Sequence, residues 1–370
     1  MQAPQWRFVR LAPAHRVPKR PETTHETPMF RPVAALCLTL LLAACREPPM
    51  LGQTDPLFDR ETMTADFQPL ADRVAPGALG VAVEDLSTGQ IISFNGEKRF
   101  PLQSVSKAPL GAAVMAEVEA GRLKLDDVVL IEDVDLSPPH SPIADAWPAR
   151  NTYTIQELLE RAVGDSDNTA ADVLMKRVGG PGAVTAWLQG RKVNHLDIDR
   201  YERQLQPDSL GLDSFRAGWK GEAAYRAAVD KVPAAERRRA TLAYLADPHD
   251  TATPLGVLRF LEALNQSELL DINSRRLLGR ISNQATSGQT SAGRGGLPAA
   301  LPDGARLTHK TGTARTDLGF TPVVNDIGVY TLKDGRKFAV VAFISGSALS
   351  LAEQENVIAD VGRVVIKAAK

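Results

Sequence analysis

The stretch PLQSVSKAPLGAAVM, from Pro101 to Met115, places two serines and a lysine directly before a run of almost wholly apolar residues. The apolar run predicts a buried helix, and a lysine is seldom fully buried unless a nearby group stabilises it. Ser104 and Lys107 are three positions apart, so a helical turn puts their side chains on one face. This arrangement fits a helix start with a capping serine and a solvated lysine, or a nucleophile beside its base. Roughly one S-x-x-K is expected by chance in such a chain, so the rest of the sequence must decide.

Composition describes an ordinary globular protein. The chain has 370 residues, 44% hydrophobic content and a net charge of -1, which suffices for one large domain or two packed ones. No excess of positive charge indicates a nucleic-acid partner. Both cysteines, Cys37 and Cys45, lie near the N-terminus, so no disulfide or cysteine-rich metal site is expected in the folded body. The six histidines form no metal-binding pattern, and neither a metal nor a cofactor is expected.

The N-terminal region predicts export. Residues 29–45 combine a basic start, a short apolar core and small residues before the end, as in a secretion signal. The ending Leu42-Ala43-Ala44-Cys45 resembles the lipobox of bacterial lipoproteins, in which the signal is cut before a cysteine that is then lipidated; a soluble exported protein cut nearby is the alternative. We therefore expect a periplasmic protein held at a membrane by acyl chains on Cys45. Residues 1–28 are expected to be a non-native or disordered extension, and residues 46–66 a flexible tether.

Strand patterns occur at both ends of the remaining chain. LGVAVEDL and QIISFNG flank STG and predict one β-hairpin, while NDIGVYTL and KFAVVAFISG flank KDGR and predict another, followed by a closing helix. The segments between them are mostly helical. These patterns predict an α+β fold (an α/β sandwich), with an antiparallel sheet built from both chain ends, flanking helices and an inserted all-α domain. We expect residues 67–103 and 304–370 in the α/β domain, residues 104–303 in the all-α domain, and the active site in the cleft between them.

Two further motifs follow the first in order. They are Ser166-Asp167-Asn168 and Lys310-Thr311-Gly312, and composition alone predicts about 0.1 or fewer of each per chain. The ordered set S-x-x-K, S-D-N, K-T-G is typical of class A β-lactamases and penicillin-binding proteins. From about Leu79 to the closing helix, the chain resembles a class A serine β-lactamase.

A fourth motif favours the β-lactamases over the penicillin-binding proteins. IDRYERQLQ, residues 198–206, resembles the omega-loop signature of class A enzymes, which carries a glutamate and, four residues later, usually an asparagine. Glu202 matches the glutamate, and penicillin-binding proteins have no counterpart to it. The resemblance implies an omega loop over about residues 198–250.

The resemblance implies a role for each motif residue. Ser104 would attack the lactam carbonyl, and Lys107 would act as its base if burial and cations such as Lys310 favour the neutral amine. Ser166 would pass a proton to the departing lactam nitrogen, and Glu202 would activate the water that hydrolyses the acyl-enzyme.

The substrate would be held by the remaining motif residues. Asn168 would bind the side-chain amide of the substrate and help to hold Lys107. The backbone N–H groups of Ser104 and Thr313 would form the oxyanion hole. The resemblance assigns the substrate carboxylate to Lys310, Thr311 and Thr313, with Gly312 keeping the strand bare so that substrate can lie alongside it.

The sequence departs from the family in the omega loop. Gln206 occupies the usual asparagine position, and its extra methylene is expected to displace or reorient the hydrolytic water and slow deacylation. Arg200 and Asp250 match the ion pair that closes the loop, but a helical insertion over about residues 214–246 separates them. That insertion could cover the site, alter substrate entry or bind a partner.

The predicted function is hydrolysis of penicillins and cephalosporins through an acyl-enzyme, which would confer antibiotic resistance; the preferred drug class stays open. The alternatives are a D,D-peptidase or penicillin-binding protein, and a β-lactam receptor that is acylated once. We expect a monomer. Arg294 and Arg315 are candidates to assist carboxylate binding, and each is equally well explained as a surface arginine. His140 falls where the family often has an aromatic gate, although a plain loop histidine is the favoured interpretation.

Overall fold

The computed structural model describes residues 60–284 and 295–369. The predicted extension, the signal segment with Cys45, and Arg294 lie outside these residues. In the two described stretches, no helix combines the length and apolar character that a membrane crossing requires.

A five-stranded antiparallel sheet joins the two ends of the chain. Its strands are β1 (Ala78–Asp85), β2 (Gln90–Phe94), β7 (Arg306–Thr313), β8 (Val323–Thr331) and β9 (Lys337–Ser345), in the order β2-β1-β9-β8-β7. The hairpins β1–β2 and β8–β9 form as predicted, and β1 pairs with β9 from Ala78 opposite Ser345 to Asp85 opposite Phe338. The predicted antiparallel sheet from both chain ends is confirmed.

Helices cover both faces of the sheet, which explains the uninterrupted apolar run in β9. Successive side chains of a strand point to opposite faces. Val340 packs in a cluster with Phe67 of helix α1 (Arg60–Arg73) and Val361 of helix α12 (Leu351–Ala368). Its neighbour Val341 packs on the other face with Phe260 of helix α10 (Pro254–Asn265). All five side chains are fully buried, and each such burial contributes about 1.5–3 kcal/mol.

The segment between the sheet strands is mainly helical. Besides α10, its helices are α2 (Lys107–Glu119), α3 (Pro142–Ala146), α4 (Ile155–Leu159), α5 (Asn168–Arg177), α6 (Pro181–Gln189), α7 (Glu202–Asp208), α8 (Glu222–Val229), α9 (Ala234–Ala246) and α11 (Ile272–Gln284). A π-helical turn, Glu160–Gly164, continues α4, and a 3-10 turn, Gln103–Ser106, precedes α2.

Two predicted boundaries need correction. Residues 60–66 belong to α1, in which Met63 is buried against the sheet, so the tether over 46–66 was predicted too long and the α/β domain begins before residue 67. The segment predicted as all-α also contains short strands. Among them, β4 (Val128–Leu130) pairs with β5 (Thr152–Thr154). Strand β6 (Thr251–Ala252) pairs with β3 (Phe100–Pro101), which lies outside that segment, just before the 3-10 turn Gln103–Ser106, named the nucleophile turn below.

Candidate active site

Ser104 lies in the 3-10 turn that runs directly into α2. This helix is apolar all round, and its residues Pro109 to Ala116 are buried. Burial on every side fixes the beginning of the helix inside the molecule. Ser104 itself is half-buried at the wall of a cleft, so a rigid element presents its hydroxyl to open space.

Lys107 is buried among oxygen atoms, with 1% of its surface exposed. Its Nζ donates to Ser104 Oγ at 3.0 Å, to the Ser166 carbonyl at 2.9 Å and to Asn168 Oδ1 at 2.5 Å. It also forms an ion pair with Glu202 Oε1 at 3.1 Å. These partners explain how a lysine tolerates the apolar start of α2, and they contradict the interpretation of Lys107 as a solvated helix-start residue.

The S-D-N motif forms the start of α5. Asp167 caps the helix, because its Oδ1 accepts from the backbone N–H of Ala170 at 2.9 Å, while its Oδ2 accepts from the N–H of Ile143 at 2.7 Å. Burial raises the pKa of Asp167. Ser166 has a φ of 61°, which is uncommon outside glycine. The capping hydrogen bonds of Asp167 and the helix that follows hold Ser166 in this unfavourable backbone conformation.

Lys310 reaches the same point from strand β7. Its Nζ donates to Ser166 Oγ at 3.0 Å, and only 3% of the residue is exposed. Burial, and secondarily the Lys107 ammonium, lower the pKa of Lys310 to about 7. The positive charge of Lys107 therefore disfavours a second positive charge on Lys310, and the carboxylate of Glu202 lies in the same site.

Gly312 lies directly against the backbone around Ser104. A Cβ at this position would lie 2.6 Å from the Leu102 carbonyl oxygen and 2.9 Å from the Val105 backbone nitrogen. Both atoms belong to the segment around Ser104, and the cleft lining does not include Gly312. The glycine thus lets β7 approach the nucleophile turn, a purpose that the sequence analysis did not foresee.

The cleft in front of these groups has a volume of about 480 Å³. Its lining combines residues from the sheet, the nucleophile turn and the helical part: Gln103, Ser104, Pro139, His140, Ser166, Asn168, Gln206, Glu222, Thr311, Thr313 and Arg315. The structure therefore brings the three short motifs and Gln206 of the omega loop to one opening.

Glu202 and Gln206 lie one turn apart on α7. Gln206 Nε2 donates to Glu202 Oε2 at 2.8 Å, while the other carboxylate oxygen faces Lys107. Glu202 is 4% exposed. The buried carboxylate is thus held from both sides, by an ammonium and by an amide.

Asp172 fixes the start of α7 and was not singled out from the sequence. Its two carboxylate oxygens accept from the backbone N–H groups of Glu202 at 2.7 Å and Arg203 at 2.9 Å. Burial, and then the nearby Glu202 carboxylate, raise the pKa of Asp172 to about 7. No motif marks this residue, because its partners are thirty positions away in the chain.

Gln103 is a second residue that sequence reasoning missed. It precedes the nucleophile, is 2% exposed and has a φ of 49°. Its Oε1 accepts from Gln206 at 3.0 Å, and its Nε2 donates to the hydroxyl of Tyr244 at 2.5 Å. The side chain of Gln103 therefore links the turn that carries Ser104 to α7 and α9.

Arg200 and Asp250 meet at the base of the omega loop. Arg200 Nε donates to Asp250 Oδ2 at 2.6 Å, and the backbone N–H groups of Asp199 and Arg200 donate to Asp250 Oδ1 at 2.8 and 3.0 Å. Asp247 lies 3.0 Å from the same guanidinium. The ends of the loop are thus tied together despite the insertion, which contains helices α8 and α9.

Arg315 and His140 both line the cleft. The guanidinium of Arg315 is bound by both carboxylate oxygens of Glu222, each at 2.6 Å, and this pairing lowers the pKa of Glu222. His140 is exposed, and its carbonyl accepts from the N–H of Asn168 at 3.0 Å. The insertion consequently contributes Glu222 to the wall of the cleft, in ion-pair contact with Arg315 just after β7.

Metal ligands are not clustered at this cleft. Over residues 60–284 and 295–369, the structure contains no group of three or more His, Cys, Asp or Glu side chains arranged to hold a metal ion.

Comparison with known proteins gives one consistent result. A family model described as the beta-lactamase enzyme family matches residues 62–369. The chain is 26% identical to beta-lactamase VEB-1 of Pseudomonas aeruginosa, over 77% of this chain and 83% of that protein. It is 29% identical to beta-lactamase L2 of Stenotrophomonas maltophilia, over 90% of this chain and 93% of that protein.

Solved structures agree with the sequence comparisons. A beta-lactamase from Chitinophaga pinensis superposes with a TM-score of 0.68 at 29% identity, covering 84% of this chain and all (100%) of that chain. A reconstructed ancestral class A beta-lactamase of Gram-negative bacteria superposes with a TM-score of 0.65 at 30% identity, covering 83% of this chain and 99% of that chain.

Proposed function

The chain belongs to the beta-lactamase enzyme family and is a class A serine β-lactamase, and from this premise we propose the role of each residue in the cleft. The observation that carries the assignment is the contact of Lys107 Nζ with two groups, Ser104 Oγ at 3.0 Å and Glu202 Oε1 at 3.1 Å. The nucleophile therefore contacts the proton carrier, and the proton carrier contacts the carboxylate. This contact supports both the formation of an acyl-enzyme and its hydrolysis.

Acylation begins at Ser104. With its amine in the neutral form, Lys107 accepts the hydroxyl proton across its contact with Ser104 Oγ as that oxygen bonds to the lactam carbonyl carbon. Backbone N–H groups of Ser104 and Thr313 stabilise the oxyanion, and one such donor is worth about 3 kcal/mol.

Ring opening needs a proton for the lactam nitrogen. As the C–N bond breaks, the nitrogen takes a proton from Ser166 Oγ, and Lys310 Nζ, 3.0 Å from that oxygen, replaces it. Lys310 and Thr311 hold the substrate carboxylate, and Asn168 binds the substrate amide. The hydrogen bond of Asn168 to Lys107 supports this assignment because it fixes the orientation of the side-chain amide.

Deacylation restores the enzyme. Glu202 takes a proton from a water, the resulting hydroxide attacks the ester carbonyl, and the C–Oγ bond breaks as Lys107 returns a proton to Ser104. The proton on Glu202 then passes through the solvent of the cleft to Lys310, which gave one up during ring opening. A general base of this kind is typically worth about 10²–10⁴-fold in rate. A D,D-peptidase or penicillin-binding protein has no counterpart to Glu202, and a β-lactam receptor is acylated only once. Neither alternative is favoured by the relatives of this chain.

The two serines of the opening stretch provide a matched test. Ser104→Ala should abolish hydrolysis of a chromogenic cephalosporin and the mass increase that a penicillin pulse produces in the intact protein. Ser106→Ala, two residues away on the same turn, should still be acylated. Hydrolysis by Ser104→Ala at the rate of the unmodified protein would refute the proposed nucleophile.

We also propose that the protein is an exported, periplasmic lipoprotein, acts as a monomer and confers resistance to β-lactam antibiotics. The signal-like segment and the Leu42-Ala43-Ala44-Cys45 sequence support the anchor. The full-length protein should partition into detergent and incorporate labelled fatty acid, and Cys45→Ala should lose both properties. Equal fatty-acid incorporation by Cys45→Ala would overturn the anchor.

A further inference from the structure

A chain of side-chain hydrogen bonds connects the omega-loop insertion to the group that activates water. The chain runs from Tyr244 on α9 through Gln103 and Gln206 to Glu202 on α7. Three of these residues are nearly inaccessible: Gln103 is 2%, Glu202 4% and Tyr244 5% exposed. Buried polar groups of this kind need specific partners, and each is costly to leave unpaired.

The direction of the chain is fixed at its Glu202 end. Gln206 Nε2 has two hydrogens, and they are used on Glu202 Oε2 and Gln103 Oε1. Turning the Gln206 amide over would place its oxygen against a carboxylate. Gln103 must therefore present Oε1 to Gln206 and Nε2 to the hydroxyl of Tyr244.

Gln206 has one side-chain atom left for a further interaction. Among the described residues, no hydrogen bond reaches its Oε1, and the residue lines the cleft. This oxygen is an acceptor beside the carboxylate of Glu202. It is suited to a water molecule that donates one hydrogen to each of them.

Packing holds Tyr244 in place independently of these hydrogen bonds. Its ring belongs to a small apolar cluster with Leu205, Ala314 and Val323. Leu205 directly precedes Gln206 on α7, and Ala314 directly follows Thr313 on the edge strand. The omega-loop insertion thus places the ring of Tyr244 between α7 and the end of β7.

We propose that Tyr244 is a positioning residue for deacylation: it holds Gln103, which holds the Gln206 amide, which orients Glu202 and leaves Gln206 Oε1 free for the attacking water. This inference rests on the proposed function of Glu202. It gives the insertion a direct part in turnover. It also explains the glutamine at position 206, where the family usually has asparagine: the longer side chain reaches a matched partner, Gln103.

Tyr244→Phe removes a single oxygen and leaves the ring in its apolar cluster. The Gln103 Nε2 then lacks an acceptor, and the amide chain loses its fixed direction. We expect kcat to fall about tenfold, less than the 10²-fold that a 1 Å displacement of a reacting group can cost. Since acylation does not use this chain, KM should fall with kcat and kcat/KM should stay within twofold.

Tyr225→Phe is the matched control in the other insertion helix. Tyr225 is 1% exposed, and in the described part of the chain its hydroxyl has no hydrogen-bond partner. Its removal should leave both kcat and kcat/KM unchanged. Intact mass measured during steady-state turnover should show the Ser104 ester in most Tyr244→Phe molecules and in few molecules of the control.

The outcomes separate the positioning role from a structural one. Equal losses in kcat and kcat/KM, or kinetics identical to those of the unmodified protein, would overturn the role of Tyr244. A double variant with Gln103→Met should lose no more than either single variant, and additive losses would also overturn it. Failure of the proposed function itself would appear differently, as an unmodified protein that forms no ester on Ser104.

Discussion

Replacing Glu202 by glutamine should convert this enzyme into a protein that is acylated and hardly released. The substitution keeps the size of the side chain and exchanges one carboxylate oxygen for an NH₂ group. Both oxygens are in use, one 3.1 Å from Lys107 Nζ and one 2.8 Å from Gln206 Nε2. The change therefore removes a proton acceptor and an ion-pair partner without opening a cavity.

The expected loss follows from these contacts. Without a general base, kcat should fall by about 10²–10⁴, which corresponds to about 3–5 kcal/mol in the barrier. The new NH₂ must also face either the Lys107 ammonium or the Gln206 amide, and both are donors. One buried donor is left unpaired, so the free energy of unfolding should fall by about 1–3 kcal/mol.

Rapid mixing with a chromogenic cephalosporin would measure the effect. Glu202→Gln should give one burst equal in amount to the enzyme, followed by slow release, and intact mass should show the ester on Ser104. Glu236→Gln makes the same chemical change on an exposed part of α9 and should behave as the unmodified protein. Undiminished multiple turnover by Glu202→Gln would refute the assignment of Glu202 as the base.

Three further perturbations probe the rest of the site. Gln206→Asn shortens an amide that spans Glu202 and Gln103, so kcat should fall a few-fold against both penicillins and cephalosporins; a rise in kcat would favour the family's usual asparagine. Gly312→Ala would press a methyl group against the nucleophile turn and should cost about 1–3 kcal/mol, measured by denaturant unfolding, together with loss of activity. Lys310 should lose its proton as pH rises through about 7, so kcat/KM for an anionic β-lactam should fall there, and Lys310→Arg should remove this limb of the profile. The pKa of Lys310 in the folded protein lies below the ordinary value of 10.5, so the unfolded chain binds more protons between about pH 7 and 10.5. The free energy of unfolding should therefore rise with pH over this range, while kcat/KM falls.

The sequence predicted features that are encoded locally or by a complete motif. The two hairpins could be predicted because each consists of two alternating or apolar runs on either side of a short turn. Ser104 and Lys107 could be paired because one helical turn separates them. The S-D-N and K-T-G motifs could be assigned to the same cleft only through the resemblance, since nothing in their spacing reveals that Ser166 meets Lys310.

Other parts of the site depend on contacts between distant positions. Gln103 and Tyr244 are 141 residues apart, and neither belongs to a motif. The close approach of Gly312 to the Leu102 and Val105 backbone was not foreseen, because the sequence does not show which backbone lies against the strand. Asp172 looks like any polar residue of a helix until α7 is packed against it.

The position of β9 in the sheet has a consequence for how the protein is made. This strand lies in the middle of the sheet, between β1 from the beginning of the described chain and β8. A nascent chain on the ribosome that has not yet reached Lys337 therefore contains β1, β2, β7 and β8 but lacks β9, the strand that joins the two pairs. Hydrolytic competence must appear late and all at once, and a truncation that removes only the last strand and helix should silence a nucleophile encoded more than two hundred residues earlier.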